Sequence, residues 1–162
     1  MRYSDVRSTI KSGDLLAWSH RGWGSWHDFK IQMVRFFTQS EYSHVATAWV
    51  IGGRVFVIEA VEPMVRIYPL SKLGSFYLIR MNAPWMLGTE DAALECVGAD
   101  YKQLHAIKAF FAPLAKGDVS ECAALVLDLM MRDGQYLGTR ATPSAVVLEA
   151  QKLGYPTLLI EN

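Results

Sequence analysis

Ser43-His44-Val45-Ala46-Thr47-Ala48-Trp49-Val50-Ile51-Gly52-Gly53-Arg54-Val55-Phe56-Val57-Ile58-Glu59-Ala60-Val61 is the stretch that decides the fold. Two runs of β-branched and aromatic residues flank Gly52-Gly53, a pattern that predicts an antiparallel hairpin with a two-residue turn. Side chains alternate across a strand, so the turn also fixes which residues meet. Ile51 opposes Arg54, Val50 opposes Val55 and, counting on, Ala46 opposes Glu59. His44, two residues before Ala46, then shares a face with Glu59 as a diagonal neighbour roughly 7–8 Å away at the backbone, within reach of a carboxylate side chain. A slip of one residue would put the two on opposite faces.

On the N-terminal side, Gly13-Asp14-Leu15-Leu16-Ala17-Trp18 reads as a turn feeding a short strand, and Arg21 to Trp26 as a loop. Ser25 and Asp28 form a capping pair for a helix of about three turns carrying Phe29, Met33, Phe36 and Phe37 and ending near Thr38. Trp18, Trp23 and Trp26, with His20 and His27, cluster around this loop and suit either a substrate groove or a cap on the core. On the C-terminal side a third strand, about Phe76 to Arg80, follows Pro69-Leu70 and Gly74. Four helices come after it. The first opens at Thr89-Glu90-Asp91 and closes at Gly98; the second runs from near Tyr101 toward Phe111, where Pro113 ends it. The third carries Cys122, Leu125, Val126, Leu129 and Met130, and the last starts at Thr142-Pro143 and stops before Gly154. Strands first and helices afterwards predict an α+β fold, a small antiparallel sheet packed against helices, in a single domain over residues 1–162.

Composition narrows the function classes. The chain is 51% hydrophobic and 20% charged, which suits a globular domain and argues against disorder. Sixteen basic residues balance sixteen acidic ones, so no field draws a polyanion and nucleic acid is not an expected partner. The longest apolar run, Cys122 to Met131, is interrupted by Asp128 and is about half the roughly 20 residues that cross a bilayer, so no membrane span is expected. Met1 to Ile10 is polar and lacks the apolar core of a signal peptide. The expectation is a cytoplasmic protein, with a phage-encoded or lysis-released protein as the route to any substrate outside the cell.

Cys96 and Cys122 fit no disulfide framework and are expected as free thiols. They differ in helix position. With Ser120 or Asp118 as N-cap, Cys122 falls in a first turn, where unpaired N–H groups and the helix dipole favour a thiolate and can hold an oxyanion. Cys96 falls late in its helix, where a thiolate is disfavoured, and reads as a core thiol. A carboxylate beside an imidazole fixes the tautomer and stabilises the imidazolium, so His44 with Glu59 is the natural base for Cys122. His20, His27, His44 and a cysteine have no paired-ligand spacing, and neither a metal nor another cofactor is expected.

The order Gly13-Asp14-Leu15-Leu16, Tyr42-Ser43-His44-Val45-Ala46, Ile58-Glu59-Ala60, Gly98 with Tyr101, and Cys122 before an apolar helix resembles the circularly permuted NlpC/P60 superfamily of papain-like cysteine hydrolases, in its YiiX/YaeF-like group. The resemblance spans roughly residues 13 to 147 and includes the Thr142-Pro143-Ser144 helix start. It implies Cys122 as nucleophile, His44 as general base and acid, Glu59 as the residue orienting His44, and Tyr101 as an oxyanion or substrate-positioning hydroxyl. It also implies a peptidase or amidase working through a thioester on peptidoglycan peptides or another amide or isopeptide bond. The same fold serves lipid acyl hydrolases and acyltransferases, so an acyl lipid is the alternative substrate. Relatives often place an aromatic residue before the cysteine and Ser after it, whereas this chain has Glu121-Cys122-Ala123. An acid there would raise the thiol pKa, which motivates a third alternative, a non-catalytic binding or scaffold module.

Overall fold

Gly52 and Gly53 both take left-handed backbone, with φ of 56° and 73°. This is the combination a two-residue hairpin turn needs to follow strand twist, and side chains resist it. The computed structural model describes residues 1–19, 42–100, 107, 111–113 and 119–161. Within them the turn joins β2 (Tyr42–Ile51) to β3 (Arg54–Val61), with Ile51 opposite Arg54 and Val50 opposite Val55. Adding β1 (Leu15–Ser19), β4 (Met64–Pro69), β5 (Phe76–Ile79) and β6 (Thr157–Ile160) gives a six-stranded sheet in the order β4-β3-β2-β1-β5-β6. Every neighbouring pair is antiparallel.

The sheet is wider than the three strands and short entry strand expected from sequence. β4 follows Pro63 and ends on Pro69; proline cannot donate to a ladder, so such a strand belongs on an edge, where β4 lies. β6 is four residues long, too short for a period to register. It forms the other edge, and the N-terminal segment lies along it, with Tyr3 N–H donating to Glu161 O (2.9 Å) and Glu161 N–H to Met1 O (2.8 Å).

The described helices are α1 (Tyr3–Val6), α2 (Leu87–Cys96), α3 (Glu121–Arg132) and α4 (Pro143–Lys152). α2 begins two residues ahead of the expected Thr89 start and gives way to Gly98 at φ 82°. α4 starts as expected, with Thr142 Oγ1 accepting from Ala145 N–H at 3.4 Å and Pro143 in the first turn. The expected helix over Phe29 to Thr38 lies outside the described residues, as does most of the one beginning near Tyr101. Among the described residues no helix is long and apolar enough to cross a membrane.

One face of the sheet, with Leu15, Ala17, Val45, Trp49 and Ile58, packs against α3 and α4. The other, with Leu16, Trp18, Ala46, Val57 and Leu78, is covered by Val6 and Ile10 from the N-terminal segment and by Leu70. α3 is buried on most of its circumference, which its apolar sequence requires. Asp14 ties the sheet at the entry to β1: fully buried, it accepts from Lys11 N–H and Met81 N–H, both at 2.9 Å. Just before it, Gly13 takes φ 96°, and a Cβ there would lie 2.7 Å from Cδ1 of the buried Trp85. Gly13→Ala is therefore expected to cost about 2–4 kcal/mol, from left-handed strain and overpacking together. Gly52→Ala, whose Cβ meets nothing within 4 Å, should cost about 1–2 kcal/mol from strain alone. Urea denaturation of the two variants checks the order; equal midpoints would refute the packing account of Gly13.

Candidate active site

Strand parity places the thiol. Ala48 N–H donates to Asp14 O on the β1 side at 2.8 Å, so the N–H groups of Thr47 and Val45 turn toward β3. The β2–β3 ladder runs only to Thr47 opposite Ile58, which leaves Val45 N–H beyond its end. There it meets α3: Val45 N–H donates to Cys122 Sγ. Cys122 is the second residue of α3, after Glu121, and is buried. Its first-turn position puts it among N–H groups that have no carbonyl partner within the helix. Ser120 occupies the N-cap position, but its hydroxyl does not cap the helix; it donates to Ala141 O at 3.2 Å and stands 3.5 Å from Cys122 Sγ.

His44 arrives from the same end of β2. Its Nε2 bonds Glu59 Oε2 at 2.8 Å, the pairing that the Gly52-Gly53 register requires. With Nε2 engaged, Nδ1 is the nitrogen left for the hydrogen bond between His44 and the thiol. Trp18 is the direct cross-strand neighbour of His44, with ring centroids 5.4 Å apart. At 2% exposure Trp18 belongs to the core beneath the imidazole and does not line a groove, because the pleat turns it inward with Leu16 and Ala46. Trp23, Trp26 and Tyr101 lie outside the described residues, as do His20 and His27.

Glu59 is 3% exposed and holds a second cation. Arg66, directly opposite it on β4, places Nε at 2.9 Å and Nη2 at 2.7 Å from Oε1. Arg66 thus takes one carboxylate oxygen while His44 keeps the other. The Val45 and Ser120 contacts at sulfur depend on backbone direction and on a non-capping rotamer, neither of which has a sequence signal.

The electrostatics follow from these contacts. Burial disfavours the His44 imidazolium, but hydrogen bonds and charge from Cys122 and Glu59 override it and raise its pKa to about 10. Burial pushes the Cys122 thiol up, and it is outweighed by the hydrogen bond and charge of His44, by Ser120 and by Val45 N–H, so the thiol falls below its ordinary value. The elevation expected from Glu121 does not prevail. Glu59 stays below the usual carboxylate range despite burial, held by His44 and Arg66. Both partners of the thiol–imidazole pair thus shift toward thiolate and imidazolium. Cys96, the last residue of α2, shifts up instead, through burial and the charge of Asp128. Both cysteines are free.

No family model matches the chain, and no curated protein matches it. Among solved structures, metalloprotein yiiX from Escherichia coli O157:H7, DUF1105, is similar in structure, with a TM-score of 0.53 and 20% identity over 80% of this chain and 69% of that one. The two share a fold. That protein is named a metalloprotein. Glu59 is engaged by His44 and Arg66, and among the described residues no three His, Cys, Asp or Glu side chains gather to hold an ion.

Linkage gives the sign of the pH effects. A folded-state His44 pKa above the ordinary 6.5 stabilises the protein most below that value, and the contribution disappears as pH rises through about 10. For the thiol, iodoacetamide labelling of Cys122 should be half-maximal below pH 9 and that of Cys96 above it. His44→Ala leaves burial without its main opponent, so the Cys122 midpoint should rise by at least about one unit and labelling at pH 7 slow by at least about tenfold. Peptide mapping of labelled protein reads both sites; equally slow labelling of the two cysteines would remove the basis for a reactive thiol.

Proposed function

We propose that this chain is a thiol hydrolase of the circularly permuted NlpC/P60 kind, acting on an amide bond through a thioester on Cys122. The observation that carries the reading is the linear arrangement of Cys122, His44 and Glu59, with the thiol at a helix start and the imidazole bonded to a buried carboxylate. Such a site has a nucleophile, a proton carrier and a residue that fixes the carrier's tautomer.

The steps balance on these three groups. Cys122 Sγ attacks the carbonyl carbon, and first-turn N–H groups of α3 receive the developing oxyanion. His44 gives its proton to the leaving amine, the C–N bond breaks, and a thioester forms beside a neutral imidazole. Water then attacks the thioester as His44 takes its proton, and Cys122 departs as a thiolate facing a restored imidazolium. Glu59 remains a carboxylate throughout, compensating the imidazolium whenever it is present. The bond acted on is placed in peptidoglycan stem peptides or another peptide or isopeptide link, by the family resemblance of the sequence motifs.

A panel of peptidoglycan fragments, isopeptides and acyl-ester lipids, offered to wild type, Cys122→Ala and His44→Ala, tests the reading. Amide cleavage by wild type should fall by at least about three orders of magnitude in each variant. Mass spectrometry of quenched wild type should find the acyl group on Cys122. Cleavage confined to the acyl esters would transfer the chemistry to lipid acyl groups. Binding that survives Cys122→Ala with no turnover on any substrate would leave a binding module and overturn the proposal.

A further inference from the structure

We propose that Arg66 is a positioning residue for this site, holding Glu59 charged and aimed at His44 during the half of the cycle in which His44 is neutral; the role rests on the hydrolase reading above. Glu59 sits on the sheet face that also carries Trp18, Ala46 and Val57, and that face is apolar. A carboxylate buried at 3% exposure needs a cation. His44 supplies one only while it is protonated. Once the thioester has formed and the leaving group has taken the proton, Cys122 and His44 are both uncharged. From that point Arg66 is the compensating charge.

The geometry suits that division of labour. Glu59 and Arg66 are paired directly across the β3–β4 ladder, so their side chains leave the sheet on the same face. Both guanidinium contacts, 2.9 Å from Nε and 2.7 Å from Nη2, fall on Oε1, and the 2.8 Å bond to His44 Nε2 falls on Oε2. The two cations therefore do not compete for one oxygen. Arg66 is itself held: its guanidinium lies 4.8 Å from the ring centre of Tyr68, two residues along the same strand. A guanidinium keeps its charge through the cycle, which an imidazole partner would not guarantee. The charged groups facing Glu59 are thus His44 from β2 and Arg66 from β4, with Cys122 of α3 beyond His44.

The test uses His44→Gln protein alkylated at Cys122 with iodoacetamide; it lacks the thiolate and, at every pH, the imidazolium, as the thioester stage does, and it needs no substrate. Carbon-13 NMR of the glutamate carboxylates follows the ionisation of Glu59 on this background with Arg66 intact, with Arg66→Met and with Arg66→Lys. Glu59 should stay ionised to the lowest pH where Arg66 is intact. In Arg66→Met its midpoint should rise by at least one pH unit, and Arg66→Lys, which keeps the charge, should restore most of the difference. Arg66→Gln replaces the methionine variant if the latter does not fold. A Glu59 midpoint that moves by less than 0.3 unit in the uncharged variant overturns the proposal, whether or not the protein proves to be a hydrolase. If no amide is ever cleaved but the midpoint shifts as described, the charge-holding role stands and the hydrolase reading fails.

Discussion

The left-handed turn at Gly52-Gly53 is the constraint from which the site follows. With both residues at positive φ the hairpin can close only with Ile51 facing Arg54, and the pleat then carries that register inward as far as Thr47 opposite Ile58. Seven residues before the end of β2 the same count delivers His44 to the face of Glu59, and the next hairpin, with Val61 facing Met64 across Glu62-Pro63, delivers Arg66 to that face as well. A shift of one residue would send Glu59 toward α3 and α4 and leave an unpaired carboxylate in an apolar layer.

Parity also explains how groups from opposite sides of the sheet meet. His44 shares the face of Trp18 and Ala46, whereas α3 packs on the face of Val45 and Ile58. A thiol on that helix would be screened from the imidazole by a continuous ladder. The pairing of β2 with β3 stops at Thr47, the register between β1 and β2 shifts at Trp18/Ser19, and beyond those points the backbone N–H of Val45 is turned toward sulfur. The end of the ladder is where a helix N-terminus and a strand side chain can touch.

What was legible in the sequence divides along the same lines. The hairpin, its register, the His44–Glu59 pairing, the start of α4 at Thr142-Pro143 and the contrast between the two thiols each rest on a local rule: a turn type, a period of two, a cap, a helix polarity. β4 and β6 were not read because one is bracketed by proline and the other is four residues long, so edge position, a tertiary property, is what makes them strands. Ser120 shows the limit of the capping rule. It occupies the N-cap position, yet Ala141 O and the sulfur offer its hydroxyl better partners than the helix does. The capacity of Glu59 to hold Arg66 and His44 at once follows from having two carboxylate oxygens aimed apart, which residue type alone does not state.

The charges at the site alternate from Cys122 through His44 and Glu59 to Arg66. A buried chain of ions is a poor device for stability, since the cost of removing each group from water roughly cancels the attraction it gains, and an apolar replacement of equal volume is often as stable or more so. The cost is concentrated here at Glu59 and Cys122, the two most buried members, at 3% and 8% exposure. Arg66 at the open end is 41% exposed and keeps much of its hydration, so the chain is anchored by the member that costs least to hold. What the alternation does provide is a proton that can leave and return. Each ion in the interior is flanked by opposite charge, so moving the proton off His44 and back leaves the Glu59–Arg66 pair in place. That property is of no use to a core and would serve the nucleophile proposed for Cys122, charged before attack and neutral after it.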